Sequence, residues 1–162
     1  MKFFYLLIRT LFQVYAIFVL TWYNPFSFSI IDASIKINLD FILIYFVFQS
    51  FFFSRVGLVF LGCFIGYLLD LDLETSLVGL NCFFLSIAGY FLGLIKINSG
   101  NWTNAIKNVY IWIICLIFFI NKYAFYNYSL SFLDFISILI NSSLIVITLI
   151  IVDKFYYKGK LI

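Results

Sequence analysis

The sequence predicts an all-α polytopic membrane protein, one domain over residues 1–162 in which six transmembrane helices form a compact bundle. Three observations lead there. The chain is 65% hydrophobic and 10% charged, with mean hydropathy +1.14, whereas a soluble domain is roughly 25% charged. Its apolar residues gather into six runs joined by short polar links. Its Lys and Arg residues, 10 in number, sort to one side of the path those runs describe, as basic loops retained in the cytoplasm require. A crossing takes roughly 20 apolar residues, so the length leaves no room for a soluble domain.

The first run is Phe3 to Thr21, closed by Trp22-Tyr23-Asn24-Pro25. The aromatic pair suits a membrane interface and the proline forbids further helix. Met1-Lys2 before an apolar run resembles a signal peptide, but Arg9 interrupts it and no small-x-small cleavage site follows, so it reads as a retained span. Phe26 to Ile37 mixes Ser27, Ser29, Asp32, Ser34 and Lys36 into apolar residues and is expected to lie along the outer surface. Asn38 to Phe53 and Val56 to Asp70 are the second and third runs, read as a tight hairpin turning at Ser54-Arg55, with a single re-entrant pair as the competing reading. Each is short for a span, a mismatch that local thinning of the bilayer accommodates. Leu77 to Ile97 is the fourth run, Asn98-Ser99-Gly100-Asn101 a turn, Ala105 to Ile120 the fifth, and Phe132 to Val152 the sixth.

With both termini inside, Lys2, Arg9, Arg55, Lys96, Lys107, Lys154, Lys158 and Lys160 fall on the cytoplasmic side, and only Lys36 and Lys122 on the other. Asp32, Asp40, Asp70, Asp72, Glu74 and Asp134 lie at or near the outer face. A net charge of +3, scattered along the chain, makes no nucleic-acid footprint.

No histidine is present, which removes the histidine-based nucleophilic sites and most zinc sites. No phosphate-binding glycine loop occurs either, so the chain reads as a non-enzyme without metal or cofactor. Asp70-x-Asp72-x-Glu74 opens like a calcium loop, but Thr75 and Asn81 stand where the sixth-position glycine and the twelfth-position glutamate belong. Cys63, Cys82 and Cys115 all sit within apolar runs and read as small buried packing residues.

The informative stretch is Gly57 to Gly93. Gly62, Gly66 and Asp70 fall at i, i+4 and i+8, so one helical face carries two exposed backbone positions and then a carboxylate at the helix end. Gly89 and Gly93 repeat the spacing on the next run, with Ser86 a turn earlier. In lipid, helices associate through such close approach, and the simplest pairing is the third run against the fourth. A carboxylate at that depth needs a partner: a backbone N–H, Asn81, Lys122 or another protein. Asn141-Ser142-Ser143 places polar side chains in mid-span of the sixth run, where interhelical hydrogen bonds are expected.

These residues resemble a known family. The segment from Gly62 to Asp70, the stretch Ser76-Leu77-Val78-Gly79-Leu80-Asn81, the opening Asn38-Leu39-Asp40-Phe41 and Asn141 look like the rod shape-determining protein MreD family across essentially the whole chain. Leu39 stands where that family often has proline, the proline often found after the asparagine is absent, and the Asp70-to-Gly79 gap is about one residue long for it. The resemblance implies a non-enzymatic, multi-pass subunit of the bacterial inner membrane serving cell elongation. Its partner would be a bitopic MreC-type protein and, indirectly, MreB filaments and RodA with its transpeptidase. It also implies a fold similar to the substrate-binding subunits of energy-coupling-factor vitamin transporters, and hence an alternative reading as a small-molecule-binding subunit. Asp40, Gly62, Gly66, Asp70, Gly79, Gly89, Gly93 and Asn141 are the positions expected to carry helix packing or partner docking.

Overall fold

The computed structural model of the chain describes residues 2–23, 27–30, 35–72, 79–126 and 131–157. Among these lie six α-helices: α1 Lys2–Tyr23, α2 Phe41–Gln49, α3 Arg55–Asp72, α4 Leu80–Ile97, α5 Asn104–Tyr126 and α6 Phe132–Val152. A π-helical stretch, Asp153–Tyr157, prolongs α6. Two short strands precede α2. They are β1 Ser27–Ile30 and β2 Ile35–Asn38, paired antiparallel with Ser27 opposite Asn38 and Ile30 opposite Ile35.

Helix boundaries follow local chemistry. Asp40 caps α2 by accepting the Leu43 N–H, and Ser131 with Asp134 forms a reciprocal capping box at α6, each pairing donors that a helix start leaves open. The turn after α4 is tied by Asn98, whose backbone N–H and side-chain Nδ2 both donate to the Leu94 carbonyl. Asp72 as a side chain, and residues 73–78 with Glu74 and Thr75, lie outside the described residues, as do residues 158–162 with Lys158 and Lys160.

The expectation of six spans is corrected in one respect. Among the described residues, three segments are both long and apolar enough to cross a membrane: Leu80–Ile97, Asn104–Phe125 and Phe132–Phe155. In α1 a shorter apolar segment, Ile8–Thr21, joins them. The α3 helix matches α4 at 18 residues but carries Arg55 at its start and Asp70 and Asp72 in its last turn. The α2 helix has 9 residues, roughly 13 Å of rise, because the run from Asn38 to Phe53 spends its first residues in strand and cap and its last in the turn at 50–54. Large apolar side chains such as Phe12, Phe60, Phe83 and Phe132 face outward, as on a helical bundle built for lipid.

The segment before α2 also departs from expectation. It forms the β1–β2 hairpin, and β2 packs along α6. There the Asn38 N–H donates to Asn141 Oδ1 at 3.0 Å, near the middle of α6. From that point α2 continues until the rings of Phe48 and Phe52 meet Tyr157 past the end of α6, with centroids 5.6 and 6.0 Å away. A strand and a short helix in series thus run beside one full-length helix.

The core runs through α2 to α6, around the fully buried Phe46, Leu58, Leu85, Ile111, Ile138 and Ile145. Phe46 is its keystone. A methyl placed on either Gly62 or Gly89 would stand 2.9 Å from the Phe46 ring tip, so one aromatic ring from α2 rests on two bare backbone positions of the neighbouring pair.

Candidate functional site

The α3–α4 pair is the most tightly built part of the molecule. A Cβ on Gly66 would lie 2.4 Å from the Cys82 Cα and N, and one on Gly62 would lie 2.4 Å from the Leu85 carbonyl oxygen. From the opposite helix, a Cβ on Gly89 would meet the Leu58 carbonyl oxygen at 2.7 Å, and one on Gly93 the Arg55 Cα at 2.7 Å. All four glycines therefore face backbone, and the order of the pairings makes the helices antiparallel. Close backbone approach of this kind is how helices gain dispersion contacts where water supplies no driving force.

At one end of the seam Asp70 is 3% exposed. Its Oδ2 accepts the backbone N–H groups of Gly79 at 3.0 Å and Cys82 at 3.2 Å. Its Oδ1 accepts the Asn81 backbone N–H at 3.1 Å and the Asn81 Nδ2 at 3.0 Å. The α4 N-cap residue, Gly79, has no side chain to serve the open donors of the first turn, and a carboxylate from the preceding helix serves them instead. Its charge also faces the positive end of the α4 dipole. Of the partners expected for Asp70, the backbone and Asn81 are the ones shown. Gly79 itself adopts φ 102°, a left-handed conformation that suits glycine.

The opposite end of the seam is cationic. The Arg55 guanidinium stacks 3.5 Å over the Tyr90 ring, and Lys96 Nζ donates to the Phe52 carbonyl. Acid at one end and base at the other give the pair an electrical direction.

Lys122, expected as a possible partner of Asp70, belongs elsewhere: its Nζ lies 3.2 Å from Asp40 Oδ2, with the side chains 37% and 17% exposed. Asp40 thus serves α2 as cap and α5 as counter-ion. This pair borders a cavity of about 1060 Å³ between α1, α2, α3 and α5, walled by Val14, Phe18, Leu43, Phe64, Leu68 and Phe118. On the α1 side Gln13 accepts from Tyr45 at 3.3 Å and from Gln49 at 3.4 Å.

The polar triplet of α6 divides its work. Asn141 holds strand β2, as described, through a bond that runs from helix to strand. Ser142 donates to the Leu139 carbonyl of its own helix. Ser143 does the same and also accepts from Trp112 Nε1 of α5 at 3.2 Å, the interhelical bond the sequence predicts. The cysteines follow expectation only at Cys115, which is fully buried. Cys63 is exposed and Cys82 half-buried, and their sulfurs lie 2.9 Å apart.

Sequence reasoning reached Asp40, Gly62, Gly66, Asp70, Gly79, Gly89, Gly93 and Asn141, and the structure places six of them along the α3–α4 seam and the other two, Asp40 and Asn141, at the junction of β2 and α2. It missed Phe46, Lys122 as the partner of Asp40, and the cavity. No family model, no curated protein and no solved structure matches this chain.

Proposed function

We propose that this chain is a non-enzymatic scaffold of a bacterial inner membrane, an MreD-type subunit of the cell-elongation machinery that holds a bitopic MreC-type partner and, through it, the peptidoglycan synthases. The observation that carries the reading is the α3–α4 seam, backbone against backbone and tied at its end by the Asp70 carboxylate. A pair so fixed keeps the outward faces of the bundle in constant relation, which is what positioning a partner helix requires.

In this reading the chain crosses the membrane an even number of times, with both termini cytoplasmic. Four residues of β2 at about 3.3 Å each and nine of α2 at about 1.5 Å each add to about 27 Å, close to the ~30 Å of a hydrocarbon core. The passage thus acts as one composite crossing, its irregular backbone sheltered against α6. The basic end of the α3–α4 pair then faces the cytoplasm.

The test is affinity purification from membranes together with an MreC-type bitopic protein. Co-elution is expected for the wild-type chain and for Gly100→Leu, where open space surrounds the glycine, and its loss for Gly66→Leu. A wild-type chain that never co-elutes overturns the proposal. The cavity of about 1060 Å³ with its Asp40–Lys122 border favours a second reading, the small-molecule-binding subunit. A native mass spectrum with a stoichiometric retained ligand would select it.

A further inference from the structure

Cys63 and Cys82 sit across the α3–α4 seam, and that seam leaves them nowhere to go. Cys63 lies three residues before Gly66, and the backbone of Gly66 presses on that of Cys82. Their sulfurs are 2.9 Å apart, inside van der Waals contact for two sulfurs and less than an ångström from the 2.03–2.05 Å of a disulfide. The helices are held at this spacing by glycine contacts on both sides of the cysteines and by Asp70 on the Cys82 N–H. Cys63 is exposed on the outer surface of the pair, so a small apolar reagent reaches it from the surrounding lipid. Cys115 is fully buried on α5 and stands apart from the pair.

We propose that Cys63 and Cys82 form a redox-closable staple across the α3–α4 seam, oxidised by disulfide reagents to an intramolecular disulfide. The exchange runs in two steps. The Cys63 sulfur, losing its proton, attacks the oxidant disulfide, forming a mixed disulfide and expelling one thiol. The Cys82 sulfur, losing its proton, then attacks the Cys63 sulfur and expels the second thiol. Two S–H bonds and the oxidant's S–S bond break, one protein S–S bond forms, and the oxidant leaves as two reduced thiols carrying both protons and both electrons. The product joins α3 to α4 at a point where they already touch.

The experiment treats the purified full chain in detergent micelles with dipyridyl disulfide, followed by intact-mass and peptide mass spectrometry. Wild type is expected to release two pyridinethiones per chain, keep no adduct and lose the mass of two hydrogen atoms, with a peptide linking Cys63 to Cys82 that dithiothreitol cleaves. Cys63→Ser and Cys82→Ser, each checked for native elution, should release one pyridinethione and retain one adduct. Retention of two adducts on wild type, a link involving Cys115, chain-to-chain dimers, or no reaction at Cys63 would each overturn the proposal. The wild-type masses decide the matter even where a serine variant does not fold.

Discussion

The two halves of this bundle solve the same problem by opposite means. In the α3–α4 half, side chains are removed: Gly62, Gly66, Gly89 and Gly93 bring backbone onto backbone, and one carboxylate closes the end. In the other half, where α1, α2 and α5 surround one face of α3, side chains are kept and a cavity of about 1060 Å³ remains among the four helices, bordered by an ion pair. The Asp70 carboxylate is almost wholly buried and, among the described residues, accepts from donors at the cap and first turn of α4, whereas Asp40 shares its charge with a lysine that is more than a third exposed. The first half is committed to a single geometry. The second has room to admit something.

The sharpest way to break this comparison is at Gly66. A leucine there would drive its Cβ into the backbone of Asn81 and Cys82, and backbone cannot rotate away as a flexible side-chain end can. The expected loss is about 3 kcal/mol or more, the upper end of overpacking costs, read as loss of folded protein in a detergent-unfolding titration. Gly100→Leu should leave stability within about 0.5 kcal/mol, since nothing lies within 4 Å of an added Cβ there. Equal behaviour of the two variants would mean that the seam is not closed.

Asp70→Asn comes next. The amide keeps nearly the same shape but offers one acceptor oxygen where the carboxylate has two, so its NH₂ would be turned toward N–H donors of α4. Removing a charged acceptor and leaving buried donors unmatched costs about 2–3 kcal/mol, read in the same titration. Faster hydrogen exchange at the backbone N–H groups of Gly79, Asn81 and Cys82 should accompany it, since these are the groups Asp70 holds. Unchanged exchange at these amides would assign the carboxylate's importance to something outside the chain.

The tight half was legible in the sequence because its signal is periodic. Glycines four apart on adjacent runs, closing in Asp70 at the same spacing, announce a face before any coordinates exist, and α6 emerges with the bounds Phe132 to Val152 that the sequence predicts. The open half was not legible for a physical reason. From Asn38 to Phe53 the chain is apolar almost throughout, and an apolar run looks alike whether strand, cap, helix or turn. What divides it is tertiary: Asn141, more than a hundred residues away, takes the Asn38 N–H, and Asp40 starts a new helix two residues later. Lys122 was seen as a cation near the outer face, yet its choice of Asp40 over Asp70 depends on how α5 is rotated, which composition does not encode. The cysteine contact was missed for the same reason, because it requires the register of α3 on α4 and not only the fact of their pairing.

The smallest effect, and the one that refines the contrast between the two carboxylates, is expected at Asp40. Asparagine caps a helix about as well as aspartate, so Asp40→Asn preserves the bond to the Leu43 N–H and removes only the charge facing Lys122. The ion pair is partly exposed, and such pairs contribute about 0–1 kcal/mol, so stability should fall by less than about 1 kcal/mol in the titration that shows Asp70→Asn losing at least twice that. Lys122→Met, which keeps an apolar stem and discards the ammonium, should match Asp40→Asn, and the double variant should cost no more than either alone. That pattern marks an interaction whose whole effect lies in the pair. A large loss from Asp40→Asn would instead show that the open half depends on its charge as heavily as the sealed half depends on Asp70, and the division drawn between them would have to be abandoned.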